Sequence, residues 1–213
     1  MTETIAAAAI RAAILRVAAR LPALRDPLNQ LDAAMGDGDL GISVSKAGPA
    51  IEEYVSANLP GDDLGKYLAG LGMAINRAAS STMGALTATA LMRAGKEAKS
   101  VAELDLPILG RLIQAADLGV QERGKAQPGD KTIVDALHPA AEAFTKAVAE
   151  GKDLRTSGQA MLEAARAGRD AAIPLRSRIG RAAWVGERTE NQLDPGTVLF
   201  VEVLEAILGS GHS

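Results

Sequence analysis

Apolar residues in this chain recur at helical spacing in one segment after another, and capping residues punctuate the segments. Ile10, Ile14, Val17 and Leu21 share one face of a helix over 3–21. Leu28, Leu31 and Met35 follow Asp26-Pro27, an acidic cap with proline at the first helical position, and that helix stops at Gly36. Asp39 is placed to cap a third helix from about Leu40, which Pro49 interrupts or kinks. Asp62 or Asp63 opens a fourth, through Leu64, Leu68, Leu71 and Ile75 to about Ala79. After the polar break SSTMG a helix runs from about Gly84 to Lys99, and another from about Pro107 to Arg123, ending at Gly124. Asp130 caps a helix to about Glu150 across Pro139, Ser157 starts one to about Ala172, and the stretch 174–193 is irregular. Asp194-Pro195 repeats the start signal and opens the last helix, through Leu199, Val203 and Ile207 to Gly209.

That pattern predicts eight or nine helices and no convincing strand. Composition agrees: aromatic residues are only 2% of the chain, and alanine, the best helix former, is abundant. The expected fold class is therefore all-α, an antiparallel bundle, and the length of 213 residues favours one domain over 1–213. In such a bundle alternate loops gather at one end, so polar loops far apart in sequence can meet.

Charge narrows the function classes. The formal net charge is −3 and no block of Lys and Arg stands out, which points away from nucleic acid and anionic membranes as main partners. No stretch is long and apolar enough to span a membrane. The N-terminal stretch carries Glu3, Arg11, Arg16 and Arg20 and lacks the order of a signal peptide. Cysteine is absent, which excludes disulfides, thiolate catalysis and cysteine-ligated metals, and fits a cytoplasmic location.

The stretch 36–41, GDGDLG, matches the dinucleotide fingerprint G-x-G-x-x-G letter by letter. Its context fails, because a helix and not a strand precedes it. An EF-hand starting at Asp37 fails too, with Ile42 and Gly48 where glycine and glutamate are needed. What remains is three aspartates in eight residues: Asp32 in the last turn of a helix, and Asp37 and Asp39 two apart on a glycine turn. Any one of them would serve as a helix cap or a solvated turn residue. Converging without bases nearby, the three would repel one another. A divalent cation removes that repulsion, and hard oxygen ligands suit Mg²⁺, which completes its shell with water and phosphate oxygens. The helix start at Leu40–Ser43 adds backbone N–H groups for an anion.

LDAAMGDGDLG, RGKAQPGDKTIVDAL and GRAAWVGERTENQLDPGT, in that order, resemble the nucleotide-binding L subunit of dihydroxyacetone kinases over nearly the whole chain. The resemblance implies a closed barrel of eight antiparallel helices with ADP or ATP and two Mg²⁺ at one end. It implies that Asp32, Asp37 and Asp39 are the metal ligands and that Leu40, Gly41, Ile42 and Ser43 lie over the phosphates. It places Thr82 and Met83 beside the nucleotide, Gly124 and Ile133 flanking the adenosine, Arg181 on the phosphate side, and Asp194, Pro195 and Gly196 in a closing turn. It further implies a kinase acting with a substrate-binding K subunit that holds a keto-sugar on its own histidine. The donor is either exchangeable ATP or bound ADP rephosphorylated by a phosphotransfer protein; a homodimer is compatible.

Singly, these residues have ordinary roles: Gly124 as a helix C-cap, Asp130 and Asp194 as N-caps, Ile133 as core, Arg181 as a surface charge. His138 reads as structural and His212 as a tail residue, which leaves no histidine here for covalent sugar binding. Trp184 is either core or a contact surface. Two departures from the family pattern touch the site: Leu40 stands where a histidine is usual, and SSTMG replaces GGASG. They leave room for a related acceptor such as erythrulose, and a non-catalytic nucleotide-loaded adaptor is the reading from another class.

Overall fold

A computed structural model describes residues 4–60, 63–99, 101 and 104–209. Among them nine helices of eleven residues or more account for the architecture. They are α1 (Ala7–Arg20), α2 (Arg25–Met35), α3 (Leu40–Ala57), α4 (Leu64–Ala78), α5 (Thr82–Glu97), α6 (Leu106–Gly124), α7 (Val134–Ala149), α8 (Leu154–Ala171) and α10 (Pro195–Leu208); a single turn, α9 (Ala182–Val185), precedes the last. The only regular β pairing among the described residues is the two-residue bridge of Thr4–Ile5 with Leu104–Asp105. No helix of the described residues is long and apolar enough to cross a membrane.

Eight of these helices form a closed ring. Each of α3 to α7 packs on the next, α8 packs on α10, α10 packs on α1, and α1 packs on α3. The short connections make sequential neighbours antiparallel. The register shows that α1 is antiparallel to α3: Arg11 donates to the Val55 carbonyl near the end of α3, while Gly48 lies against the Ala18 carbonyl near the end of α1. The second helix stands apart from the ring and packs on α3 and α10. Its Leu28 is fully buried in the largest core cluster, with Val55, Leu71 and Leu104 among the side chains around it.

Helix ends differ from local expectation in an instructive way. Asp63, Asp105 and Asp194 cap as their positions suggest, accepting from the N–H groups of Lys66, Ile108 and Thr197 at 3.0, 2.7 and 2.7 Å. Asp62 lies outside the described residues. Asp26 caps nothing, because a 3-10 turn over Leu21–Leu24 feeds directly into α2. Asp153, and not Ser157, caps α8, which therefore starts earlier than expected. Ser81 caps α5, so Thr82 and Met83 belong to its first turn and not to a break. Both internal prolines, Pro49 and Pro139, are carried within continuous helices. Tertiary packing there outweighs the hydrogen bond each proline removes.

Candidate functional site

The open end of the ring collects the loops before α3, α5, α7 and α10. They enclose a cavity of about 340 Å³. Gathering of alternate loops at one end is what an antiparallel ring requires.

The first wall is the turn between α2 and α3. Asp32, Asp37 and Asp39 each bring one carboxylate oxygen to within 4.8 Å of the others. The turn that aims them needs a left-handed backbone at Gly38, φ 76°, which side-chain-bearing residues rarely adopt. Asp32 is fixed by a task of its own: its Oδ2 accepts the N–H groups of Asp39 and Leu40 at 2.9 and 3.2 Å. It thus caps α3 from the preceding helix, in place of the side chain of Asp39, which makes no cap bond. A carboxylate at a helix N-terminus is stabilised by the dipole and leaves its second oxygen for another ligand.

The N–H groups of α3 are less available than the sequence suggests. Leu40 N–H is bound to Asp32, Ile42 N–H donates to Asn29 Oδ1 at 3.2 Å, and Ser43 N–H to the Asp39 carbonyl at 3.1 Å. Gly41 is buried where a Cβ would stand 1.9 Å from the Arg25 carbonyl oxygen, so it serves the α2–α3 contact. Leu40 and Ser43 line the cavity; Gly41 and Ile42 do not. The helix start therefore offers fewer free donors than expected, since the N–H groups of Leu40, Ile42 and Ser43 have protein acceptors.

Opposite stands the segment after α8. Ile179, Gly180, Arg181 and Ala182 line the cavity, and the Arg181 guanidinium pairs with the Asp37 carboxylate. Three carboxylates thus face one arginine, leaving the corner net negative. The chemistry of this donor set, hard oxygens from a rigid turn and a helix end, fits a divalent cation of the Mg²⁺ type.

The remaining walls are different in kind. Thr82 and Met83 line the cavity from the start of α5, together with Ser80 and Ser81. Leu86, Val120, Ile133, Val134 and Ile179 form an apolar side that is continuous with a small core cluster under α6 and α7. Gly124 closes α6 at this edge without a side chain to fill the space. Asp194, Pro195 and Gly196 complete the rim at the start of α10. Asp194 is 9% exposed, and burial pushes its carboxyl up to about 7 against the hydrogen bond from Thr197 N–H.

Every nucleotide-side and metal-side residue expected from the sequence, apart from Gly41 and Ile42, meets in this one cavity. Asp130 is corrected from cap to loop staple: its carboxylate accepts Gln127 N–H at 2.9 Å. Asp135, inside α7, instead ties the loop by accepting Gly129 and Thr132 N–H groups at 2.6 and 2.7 Å. His138 lies off the cavity, its Nδ1 2.8 Å from the Oδ2 of buried Asp117. His212 lies outside the described residues. Trp184 is 92% exposed on α9, a surface residue and not core. Sequence reasoning missed Ser80, Ser81, Lys131 and Thr132 as lining residues. Lys131 stands within the GDKT of a motif already singled out, yet a buried lysine in a loop carries no periodic signal.

A closed helical ring with a carboxylate triad, a facing arginine and an apolar side wall at its open end defines a class: a helical cup for a metal-associated anion with an apolar moiety. A sequence model described as the DAK2 domain matches residues 34–209, and the chain belongs to that family. It is 32% identical over 193 residues to human triokinase/FMN cyclase, covering 91% of this chain and 33% of that protein. It is 31% identical over 188 residues to the ADP-binding subunit DhaL of the PEP-dependent dihydroxyacetone kinase 2 of Listeria innocua, covering 86% and 85%. The chain thus spans about a third of the human relative and nearly all of the bacterial subunit. Among solved structures, the dihydroxyacetone kinase of C. freundii in complex with AMP-PNP and Mg²⁺ superposes with a TM-score of 0.72 at 26% identity, covering 99% of this chain and 35% of that one.

Proposed function

We propose that this chain is the Mg-nucleotide-binding, phosphoryl-delivering subunit of a dihydroxyacetone kinase, a cytoplasmic domain that works with a separate keto-sugar-binding K subunit. The observation that carries the reading is the carboxylate triad opposite Arg181 at the mouth of a cavity with one apolar wall. Asp32, Asp37 and Asp39 would hold two Mg²⁺, which would supply charge neutralisation at the phosphates of ADP or ATP. Asp32 is pre-positioned by its two N–H bonds, so little reorganisation accompanies ligation. Arg181 adds a positive charge at the phosphate end. The apolar wall of Leu86, Val120, Ile133 and Ile179 takes the flat base, and Gly124 leaves it room. Similarity to a protein named as an ADP-binding kinase subunit, and to a kinase solved with AMP-PNP and Mg²⁺, supports the same assignment.

Among the described residues no histidine lines the cavity. The test is reconstitution: the chain, a K subunit, Mg²⁺ and ATP, with dihydroxyacetone and erythrulose as alternative acceptors. Phosphorylation of dihydroxyacetone is the expected result. Turnover of erythrulose alone would move the assignment to a related kinase, as Leu40 and the SSTMG turn allow. Nucleotide binding without phosphorylation of any keto-sugar would leave a regulatory adaptor. Turnover with ATP alone would exclude a phosphotransfer protein as the obligatory donor.

A further inference from the structure

The arginine wall of the cavity has little regular structure to hold it. Residues 172–181 run as turns and bends between α8 and α9, yet Arg181 must stand opposite the carboxylate triad. Ser177 N–H donates to Thr189 Oγ1 at 3.0 Å and Arg176 pairs with Glu187 and Glu190, and a buried residue from another loop adds a further tie. Lys131 is 2% exposed, and its Nζ donates to the carbonyls of Ile173 and Leu175 at 2.7 and 3.0 Å. A buried ammonium is costly unless it is hydrogen-bonded and paired. Here two main-chain carbonyls converge on it, and Asp194, Asp135 and Glu190 oppose the lowering of its pKa by burial.

The backbone at Lys131 is a second observation. Its φ is 59°, in the left-handed region that glycine or asparagine occupies more readily. A lysine there carries a conformational cost, and what offsets it is the side chain's own anchorage. A neighbouring tie acts in the same sense: Arg178 N–H donates to the Asp130 carbonyl at 3.1 Å. Together they join the loop before α7, which carries Ile133 of the apolar wall, to the segment that carries Arg181.

We propose that Lys131 is a positioning residue, whose ammonium clamps the 173–181 segment so that Arg181 faces the carboxylate triad. It acts through Arg181 and not as a direct phosphate ligand, since two of its three donors are held by Ile173 and Leu175. This rests on the nucleotide reading above, but one of its tests does not depend on it.

The chain's only tryptophan, Trp184, sits three residues beyond Arg181 and reports on this segment. Lys131→Met in the full chain is expected to lower Trp184 time-resolved anisotropy on the nanosecond scale while far-UV circular dichroism is retained. Mg-ADP affinity by calorimetry is expected to fall about 10-fold, the scale of a misplaced positioning group. Mn²⁺ binding without nucleotide, read by electron paramagnetic resonance, is expected to stay within about twofold, because the triad is not displaced. In an Arg181→Ala background, Lys131→Met is expected to cost little further Mg-ADP affinity. Lys131→Gly removes the backbone cost together with the ammonium, and is expected to reproduce these effects should the methionine variant fold poorly. Unchanged Trp184 anisotropy would overturn the clamp, and full additivity with Arg181→Ala would make Lys131 a direct ligand instead. Failure of the wild-type chain to bind Mg-ADP would remove the function proposed above, while the anisotropy would still decide the clamp.

Discussion

Two corners of the same cavity treat their carboxylates in opposite ways. At the α2–α3 turn, Asp37 and Asp39 are exposed, and among the described residues their only ion-pair partner is Arg181. At the start of α7 and α10, Asp130, Asp135 and Asp194 are buried and engaged by main-chain N–H groups. Acids of the second kind hold loops in shape, with their oxygens engaged inside the protein. Acids of the first kind leave oxygens directed outward, and that is the arrangement a bound cation needs. Asp32 belongs to both corners in kind, since one oxygen caps α3 and the triad draws on the same carboxylate.

The contrast can be broken by substitution. Asp32→Ala should have the largest effect: Mg-ADP affinity falls by about 100-fold or more and the fold loses about 1 kcal/mol with its helix cap. Calorimetry and urea unfolding read the two losses separately. Asp37→Ala should lose the binding alone, leaving helical content and Tm as in the wild type. Equal destabilisation by the two variants would show that Asp37 too is a structural acid.

Asp194 sharpens the other corner through pH. With a folded-state pKa raised from 3.8 to about 7, the folded chain keeps a proton that the unfolded chain releases between those values. Its contribution is complete below about pH 4 and is lost as pH rises through about 7, a swing on the order of 2–4 kcal/mol. Asn at this position remains a good cap, so Asp194→Asn should fold and should lack that component of the stability–pH curve. Parallel curves for variant and wild type between pH 4 and 7 would contradict the assignment. Smallest in scope is Asp105→Ala, which removes the cap of α6 far from the cavity. It should cost about 1 kcal/mol in chemical denaturation and leave Mg-ADP binding untouched.

The ring was legible from the chain because its helices are alanine-rich and strongly periodic, and because Asp-Pro and glycine mark several ends. Which polar residue caps each helix was less legible. Candidates lie close together, and the choice depends on tertiary neighbours: α3 is capped by Asp32 from another helix, and the loop before α7 is tied by Asp135 from within it. The acidic corner stood out because three aspartates crowd into eight residues around a glycine turn, more than one helix cap requires. How free the helix-start N–H groups are was not legible either, because Asp32 and Asn29 reach Leu40 and Ile42 from α2, while Ser43 bonds the Asp39 carbonyl. Lys131 was invisible for a related reason. Its burial is created by Ile173 and Leu175, more than forty residues away, and nothing in GDKT announces them.

The aspartate triad should hold metal together with nucleotide. Crystals grown with Mn²⁺ and ADP, measured at the manganese edge, test it directly. The expected result is anomalous density between Asp32, Asp37 and Asp39, adjoining the diphosphate, with two peaks for two ions. Bound ADP with no anomalous peak within coordination distance of these carboxylates would contradict it.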